Sequence, residues 1–187
     1  VVKTIGFPAV AKVVSPDISH KSDVGGVILG IKNVEDAIRS YEQIMSNVKK
    51  YVPNARVVGV LYQKMASPGY IEVIVGATRD QTFGPVVMFG IGGIFVELLK
   101  DVSFRIAPLD PEDAEDMIKE IKGYKLLEGY RGMPPRDVKA IKDILIKTSR
   151  IMADIDRIQD IDLNPIMLYE RGKGALTVDV RVILRRA

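Results

Sequence analysis

The chain contains a single histidine, His20, inside the polar stretch Ser15-Pro16-Asp17-Ile18-Ser19-His20-Lys21-Ser22-Asp23-Val24-Gly25-Gly26. A neutral imidazole is a competent nucleophile toward phosphorus near pH 7, since its ordinary pKa is about 6.5. Lys21 and the neighbouring hydroxyls are suited to phosphate oxygens, and Gly25-Gly26 permits close backbone approach. A solvent-facing loop histidine with no chemical role has the same local sequence, so His20 taken alone leaves both readings open.

Other residues invite the same comparison of a chemical role with a plain one. Lys12 interrupts the apolar run Phe7 to Val14, and strand alternation places it on the face of Val10 and Val14. Its stem is then packed and its ammonium needs an anion, such as a nucleotide phosphate, or water at a sheet edge. Near the C-terminus, Asp162 and Asn164 alternate onto one face, as do Asp179 and Arg181. A hairpin turning near Gly172 pairs residues whose numbers sum to about 343, which sets Asn164 opposite Asp179 or a neighbour. A carboxylate beside an amide oxygen suits Mg²⁺, though a solvated polar sheet face also accounts for the pattern. Pro165 suggests an edge position for this strand. In Phe89-Gly90-Ile91-Gly92-Gly93-Ile94-Phe95-Val96-Glu97, the glycines Gly92 and Gly93 expose N–H groups to a phosphate or simply make a tight turn. Glu72 stands in an otherwise apolar strand and faces either a cleft or solvent.

Composition removes several alternatives. There is no Cys, which excludes disulfides, thiolate metal sites and cysteine nucleophiles, and one His excludes a multi-histidine centre. The 27 Lys+Arg against 24 Asp+Glu leave only +3, spread along the chain, and the Arg185-Arg186 pair lacks an aromatic platform, so no nucleic-acid partner is expected. No apolar run approaches the ~20 residues of a membrane span. A cytoplasmic protein without membrane association is the expectation.

The elements that must position these residues read as α+β. Strands are expected at Phe7 to Val14, Gly26 to Ile31, Val57 to Gln63, Ile71 to Ala77, Pro85 to Phe89 and Ser103 to Pro108. Ile161 to Tyr169 and Ala175 to Leu184 form a final hairpin around Arg171-Gly172-Lys173-Gly174. Asn33 caps a helix with Ala37, Ile38, Tyr41, Ile44, Met45 and Val48 inward. Asp110-Pro111 opens a second, with Ala114, Met117, Ile118 and Ile121 inward and Gly123 as its stop. A third follows Pro134-Pro135, with Val138, Ile141, Ile144, Leu145, Ile151 and Met152 inward. Two lobes are expected, 1–60 and 61–187.

Taken in order, five stretches resemble the ATP-grasp subunit or domain of ADP-forming acyl-CoA synthetases, the acetate–CoA ligase family. They are Phe7-Pro8-Ala9 through Val27, Glu72-Val73-Ile74-Val75-Gly76, Phe83-Gly84-Pro85 through Glu97, Phe104-Arg105-Ile106-Ala107-Pro108-Leu109, and Asp162-Leu163-Asn164-Pro165. The likeness covers nearly the whole chain, and the Ser-Pro-Asp…His-Lys…Gly-Gly string is its most specific part.

The resemblance implies an ATP-grasp fold with ATP or ADP held between antiparallel sheets. It implies the reversible conversion of acyl-CoA, ADP and phosphate into acid, CoA and ATP. A companion CoA-binding alpha subunit or domain, in an α2β2 assembly, would form the acyl phosphate and take the phosphoryl group onto its own histidine. His20 would receive it before ADP does. Asp162 would hold an imidazole, Asn164 and Asp179 would bind Mg²⁺, and Lys12 would meet the nucleotide phosphates. Gln63, Lys64 and Met65 would lie along the adenine, with Glu72, Gly92, Gly93 and Arg105 completing the nucleotide contacts. Lys64 stands where relatives commonly carry Glu, and the chain begins inside the usual domain, past a leading helical segment. The alternative is a regulatory ATP-grasp-like module of a protein acyltransferase. The retained His20 favours the enzyme.

Overall fold

The computed structural model describes residues 2–18, 20–93 and 99–185, so Glu97 lies outside the described residues. The chain divides into two compact units, Val1–Ala66 and Ser67–Ala187. A division after residue 60 would cut β3 (Gly59–Lys64). That strand pairs with β1 (Ala9–Val14) from Val14↔Gly59 to Ala9↔Lys64, and the ladder keeps all of β3 in the first unit.

In the first unit a short helix α1 (Val2–Ile5) precedes an antiparallel sheet of order β2-β1-β3, where β2 is Val27–Ile31. The long helix α2 (Val34–Tyr51) starts where expected. Asn33 Oδ1 accepts from Asp36 N at 2.7 Å, Glu35 and Asp36 occupy the first turn, and Lys49 and Lys50 the last, as the helix dipole favours. Ala37, Ile44 and Val48 pack on Ala9, Ala11 and Val13 of β1. Ile38 and Tyr41 face solvent instead, and Ser40 is buried in the stripe. Its hydroxyl donates to Ala37 O at 2.8 Å, which removes the cost of burying it.

In the second unit the antiparallel sheet runs β6-β5-β4-β7-β8, with β9 also on β7. The strands are β4 (Ile71–Asp80), β5 (Gly84–Ile91), β6 (Val102–Ile106), β7 (Ile158–Leu168), β8 (Ala175–Thr177) and β9 (Val180–Leu184). Helices α3 (Pro111–Glu120), α4 (Tyr124–Glu128) and α5 (Val138–Asp154) join its core. Asp110 makes a capping box with Asp113, and Pro111 sits at the first helical position. Gly123 precedes α4, since α3 has already ended at Glu120. Asp137 caps α5 through Ala140 N and also accepts from Gly172 N at 2.9 Å and Gly174 N at 2.8 Å. One carboxylate thus ties the helix start to the turn after β7. On α5, Ile151 is exposed, whereas Ser149 is buried with its hydroxyl donating to Ile146 O.

Alternation assigns the sheet faces. Val73, Val75 and Ala77 of β4 join the helix-packed core with Met117, Ile118 and Leu145. Glu72, Ile74, Gly76 and Thr78 therefore lie on the opposite face, which is helix-free among the described residues and on which Ile74 is still buried. Pro165 is not on an edge, because β7 pairs with β4 on one side and with β8 and β9 on the other. It is tolerated because the β4–β7 register shifts between Val73↔Ile166 and Val75↔Leu163. Asn164 and Pro165 together oppose Ile74, and a bulge needs no ladder donor there. The strand expected at Ala175 to Leu184 is split into β8 and β9 at this same level.

Candidate functional site

In the first unit the β1 alternation sets Lys12 on the sheet face away from α2. Its pairing partners are Val27 on β2 and Leu61 on β3, and Gln63 lies opposite Val10 on the same face. The result is one ammonium on a floor of Val14, Leu61 and Val27. That combination suits a flat apolar ring with an anion attached. Lys64 pairs with Ala9, so its side chain leaves from the other face, and Met65 N donates to Pro8 O at 3.0 Å. The structure therefore groups Lys12 with Gln63 and separates the Lys64 side chain from them. β3 is an edge strand, and alternate backbone groups along it have no ladder partner in this sheet.

The His20 loop is pinned on both sides of an exposed ring. Asp17 N donates to Ser15 Oγ, Arg56 N donates to Asp17 Oδ2 at 2.7 Å, and Ile18 is buried in the unit's core. After His20, Gly26 N donates to Lys21 O at 2.7 Å and Asn47 Nδ2 donates to Gly25 O at 2.9 Å. A Cβ on Gly25 would stand 2.5 Å from Asn47 Nδ2, and one on Gly26 would stand 2.6 Å from Val13 Cγ1. The two glycines thus serve a close approach within the protein, between loop and α2 and β1, where the sequence suggested an approach to phosphate. His20 itself is exposed. The bonds anchor Ser15 to Asp17 on one side and Lys21 to Gly26 on the other, and the His20 side chain is exposed between them.

In the second unit the helix-free face carries the carboxylates. Gly76 pairs with Asp162, Thr78 with Asp160, and Glu72 with Met167, so all of these share one face. On the other side of β7, Asp162 pairs with Arg181. The register sum of 343 holds on both sides of the bulge, at Leu163↔Val180 and at Ile166↔Thr177, and Asn164 and Asp179 occupy the interruption between the two ladder segments. An amide and a carboxylate at that gap are hard oxygen donors of the kind Mg²⁺ takes. Among the described residues no group of three or more His, Cys, Asp or Glu is arranged to hold a metal. Mg²⁺ commonly takes only one or two carboxylates from a protein, so the pair is chemically sufficient.

Gly92 N donates to Glu72 O at 2.7 Å, and a Cβ on Gly92 would come within 2.9 Å of Glu72 Cβ. The glycine is required for the chain leaving β5 to lie against β4, and Gly93 follows with φ +64. Arg105 is placed differently. It pairs with Val87, a core residue, so it extends from the helix-packed face, where it meets Glu120 at 2.7 Å. The structure does not bring it to the carboxylate face. Two residues absent from the sequence reading do belong there, Thr78 and Asp160, joined by a 2.6 Å hydrogen bond from the threonine hydroxyl. The signal was present, since the Asp162–Asn164 alternation extends back to Asp160.

The ATP-grasp domain model matches residues 1–184. The chain is 50% identical over 182 residues to the Pyrococcus furiosus acetate–CoA ligase [ADP-forming] II subunit beta, spanning 97% of this chain and 77% of that one. It is 47% identical over 184 residues to acetate–CoA ligase [ADP-forming] I of Archaeoglobus fulgidus, spanning 98% of this chain but 26% of that longer protein. The acetyl-coenzyme A synthetase 1 of Ca. Korarchaeum cryptofilum, solved with coenzyme A and Ca-AMPCP, superposes with TM-score 0.92 at 54% identity, covering 98% of this chain and 79% of that one. Another structure of it holds Mg-AMPPCP, with its phosphohistidine segment pointing towards the nucleotide binding site (TM-score 0.81, 49% identity, 98% and 79% covered). The two antiparallel sheets superpose on these structures and the matches span nearly the whole of this chain: it belongs to the ATP-grasp family, among the relatives of the beta subunits of ADP-forming acetate–CoA ligases.

Proposed function

We propose that this chain is the nucleotide-binding subunit of an ADP-forming acid–CoA ligase, working with a CoA-binding alpha subunit in an α2β2 assembly. The observation that carries the reading is the chain's one imidazole, His20, exposed between segments anchored at Asp17 and Ile18 and at Gly25 and Gly26. An accessible imidazole between anchored flanks suits a phosphoryl acceptor, which must be reached by donor and acceptor in turn.

In this reading the companion's phosphohistidine approaches with its free ring N–H donated to Asp162. The imidazole nitrogen of His20 attacks phosphorus, a new N–P bond forms, and the departing companion imidazole keeps the electron pair of the broken N–P bond. A terminal oxygen of ADP then attacks, an O–P bond forms, and His20 regains its lone pair. Lys12 holds anionic phosphate oxygens, with Gln63 beside it, and the outer edge of β3 near Lys64 and Met65 meets the adenine. Glu72, Gly92 and Gly93 border the phosphates, whereas Arg105 has no part. Asn164 and Asp179 would hold Mg²⁺, which would supply charge neutralisation for the phosphates.

The test is to assemble the chain with its companion subunit, Mg²⁺ and labelled acyl phosphate. Acid-labile, base-stable label is expected on His20 and is lost in His20→Asn. Normal ATP formation by His20→Asn would remove the relay. Nucleotide-dependent thermal stabilisation without any label would favour a regulatory module.

A further inference from the structure

A cavity of about 250 Å³ opens on the helix-free face of the six-stranded sheet, next to Asp162. Its floor is the strand backbone at Gly76, its wall is Val86, Met88 and Phe104, and its rim is Thr78, Asp160 and Asp162. Gly76 is not in the left-handed region, so no turn demands glycine there. The missing side chain is what leaves the room, since a Cβ would already stand 3.2 Å from Met88 Cε. Phe104 is 53% exposed on the edge strand β6, a large aromatic ring at the open side of the cavity. Thr78 Oγ1, at 2.6 Å, fixes one oxygen of Asp160.

The place of the cavity along β7 limits what enters it. Asp160, Asp162 and Asn164 follow one another at strand spacing, about 7 Å per two residues. The proposed magnesium pair lies toward Asn164, whereas the cavity runs from Asp162 across the sheet over Gly76 to Met88 and Phe104, and away from Asn164 to Thr78 and Asp160. A phosphohistidine whose ring is held by Asp162 must point its phosphoryl group toward Asn164, which leaves the neighbouring residues of its own segment over the cavity. In an extended segment the side chain two positions away projects to the same side, also about 7 Å distant. We infer that the cavity is a recognition pocket for an apolar side chain next to the phosphohistidine of the companion subunit. Asp160, held by Thr78, is a positioning residue that accepts a backbone N–H of that segment. The inference rests on the relay reading above for its partner and adds to it the feature that registers the segment.

Two half-reactions of the assembled complex separate the possibilities: labelling of His20 by Mg-ATP, and transfer of label between this chain and the companion. Gly76→Leu, which fills the cavity, is expected to slow transfer to or from the companion about 100-fold, the scale of a small misplacement of reacting groups. Labelling by Mg-ATP should stay at the wild-type level. Thr78→Val should slow transfer about tenfold, as loss of a hydrogen bond to a charged group does, and Thr78→Ser should restore it. Phe104→Ser, on an exposed edge, repeats the test if the filled variant does not fold. Unchanged transfer in Gly76→Leu and Phe104→Ser overturns the pocket, and so does a parallel fall in Mg-ATP labelling, which would assign the cavity to the nucleotide. If wild-type His20 never takes label, the relay fails, and companion-to-ADP transfer still reads the pocket by itself.

Discussion

The two sheets carry opposite chemistry on the faces turned away from the described helices of their own units. The three-stranded sheet presents an ammonium, Lys12, among Val14, Val27 and Leu61, with the amide of Gln63 nearby. The six-stranded sheet presents Glu72, Asp160 and Asp162, with Asn164 and Asp179 at the bulge. A positive face on an apolar floor serves a base and its phosphates directly. A carboxylate face reaches phosphate only through a metal or a protonated ring, because bare carboxylates repel it. On the proposed reading, nucleotide affinity lies mainly with the first unit, and metal and imidazole handling with the second.

The largest expected effect tests the second face. Asp162→Asn should lower transfer from the companion about a thousandfold, within the range of a lost acid–base or orienting partner, while nucleotide affinity is unchanged. Equal losses in both would erase the contrast between the faces. Next comes the covered side of the same sheet. Leu145→Ala empties a fully buried site and should cost about 3 kcal/mol of unfolding free energy, read from denaturant midpoints. Lys12→Met keeps the stem and removes the charge. It should weaken nucleotide binding about tenfold by titration, with little change in stability. The smallest effect lies far from both faces. Glu115 meets Lys119 at 2.6 Å and Lys142 at 2.9 Å, and these bonds, that to Lys119 first, pull its carboxyl from 4.5 down to about 2. A depressed carboxylate stabilises the fold above its unfolded pKa, and that contribution fades as pH falls from about 4.5 through about 2. Glu115→Gln should slightly flatten the acid limb of stability in that window, and an unchanged limb would show the pair to be fully screened.

Much of the fold was legible where local chemistry decides it. Asn33 and Asp110-Pro111 mark helix starts because their side chains satisfy the first free N–H groups. The 343 register sum holds because the Gly172 and Gly174 turn fixes the hairpin from one end. The inward stripes of α2 and α5 were misread at Ile38, Tyr41 and Ile151, since an apolar count overlooks Ser40 and Ser149, which bond their own helix and can be buried. Pro165 signalled an edge, yet its bulge gives an inner strand the same freedom. Arg105 had the right charge, but which face it leaves from depends on its pairing with Val87. The Gly76 cavity was out of reach, because it is assembled from β4, β5, β6 and β7 at once.

The most direct measurement is a rapid-quench time course of the assembled complex turning over acyl phosphate, ADP and Mg²⁺. Phosphate on His20 should appear after label on the companion's histidine and decay as ATP rises, at a rate at least equal to turnover. ATP appearing at full rate with no phosphate ever passing through His20 would contradict the account.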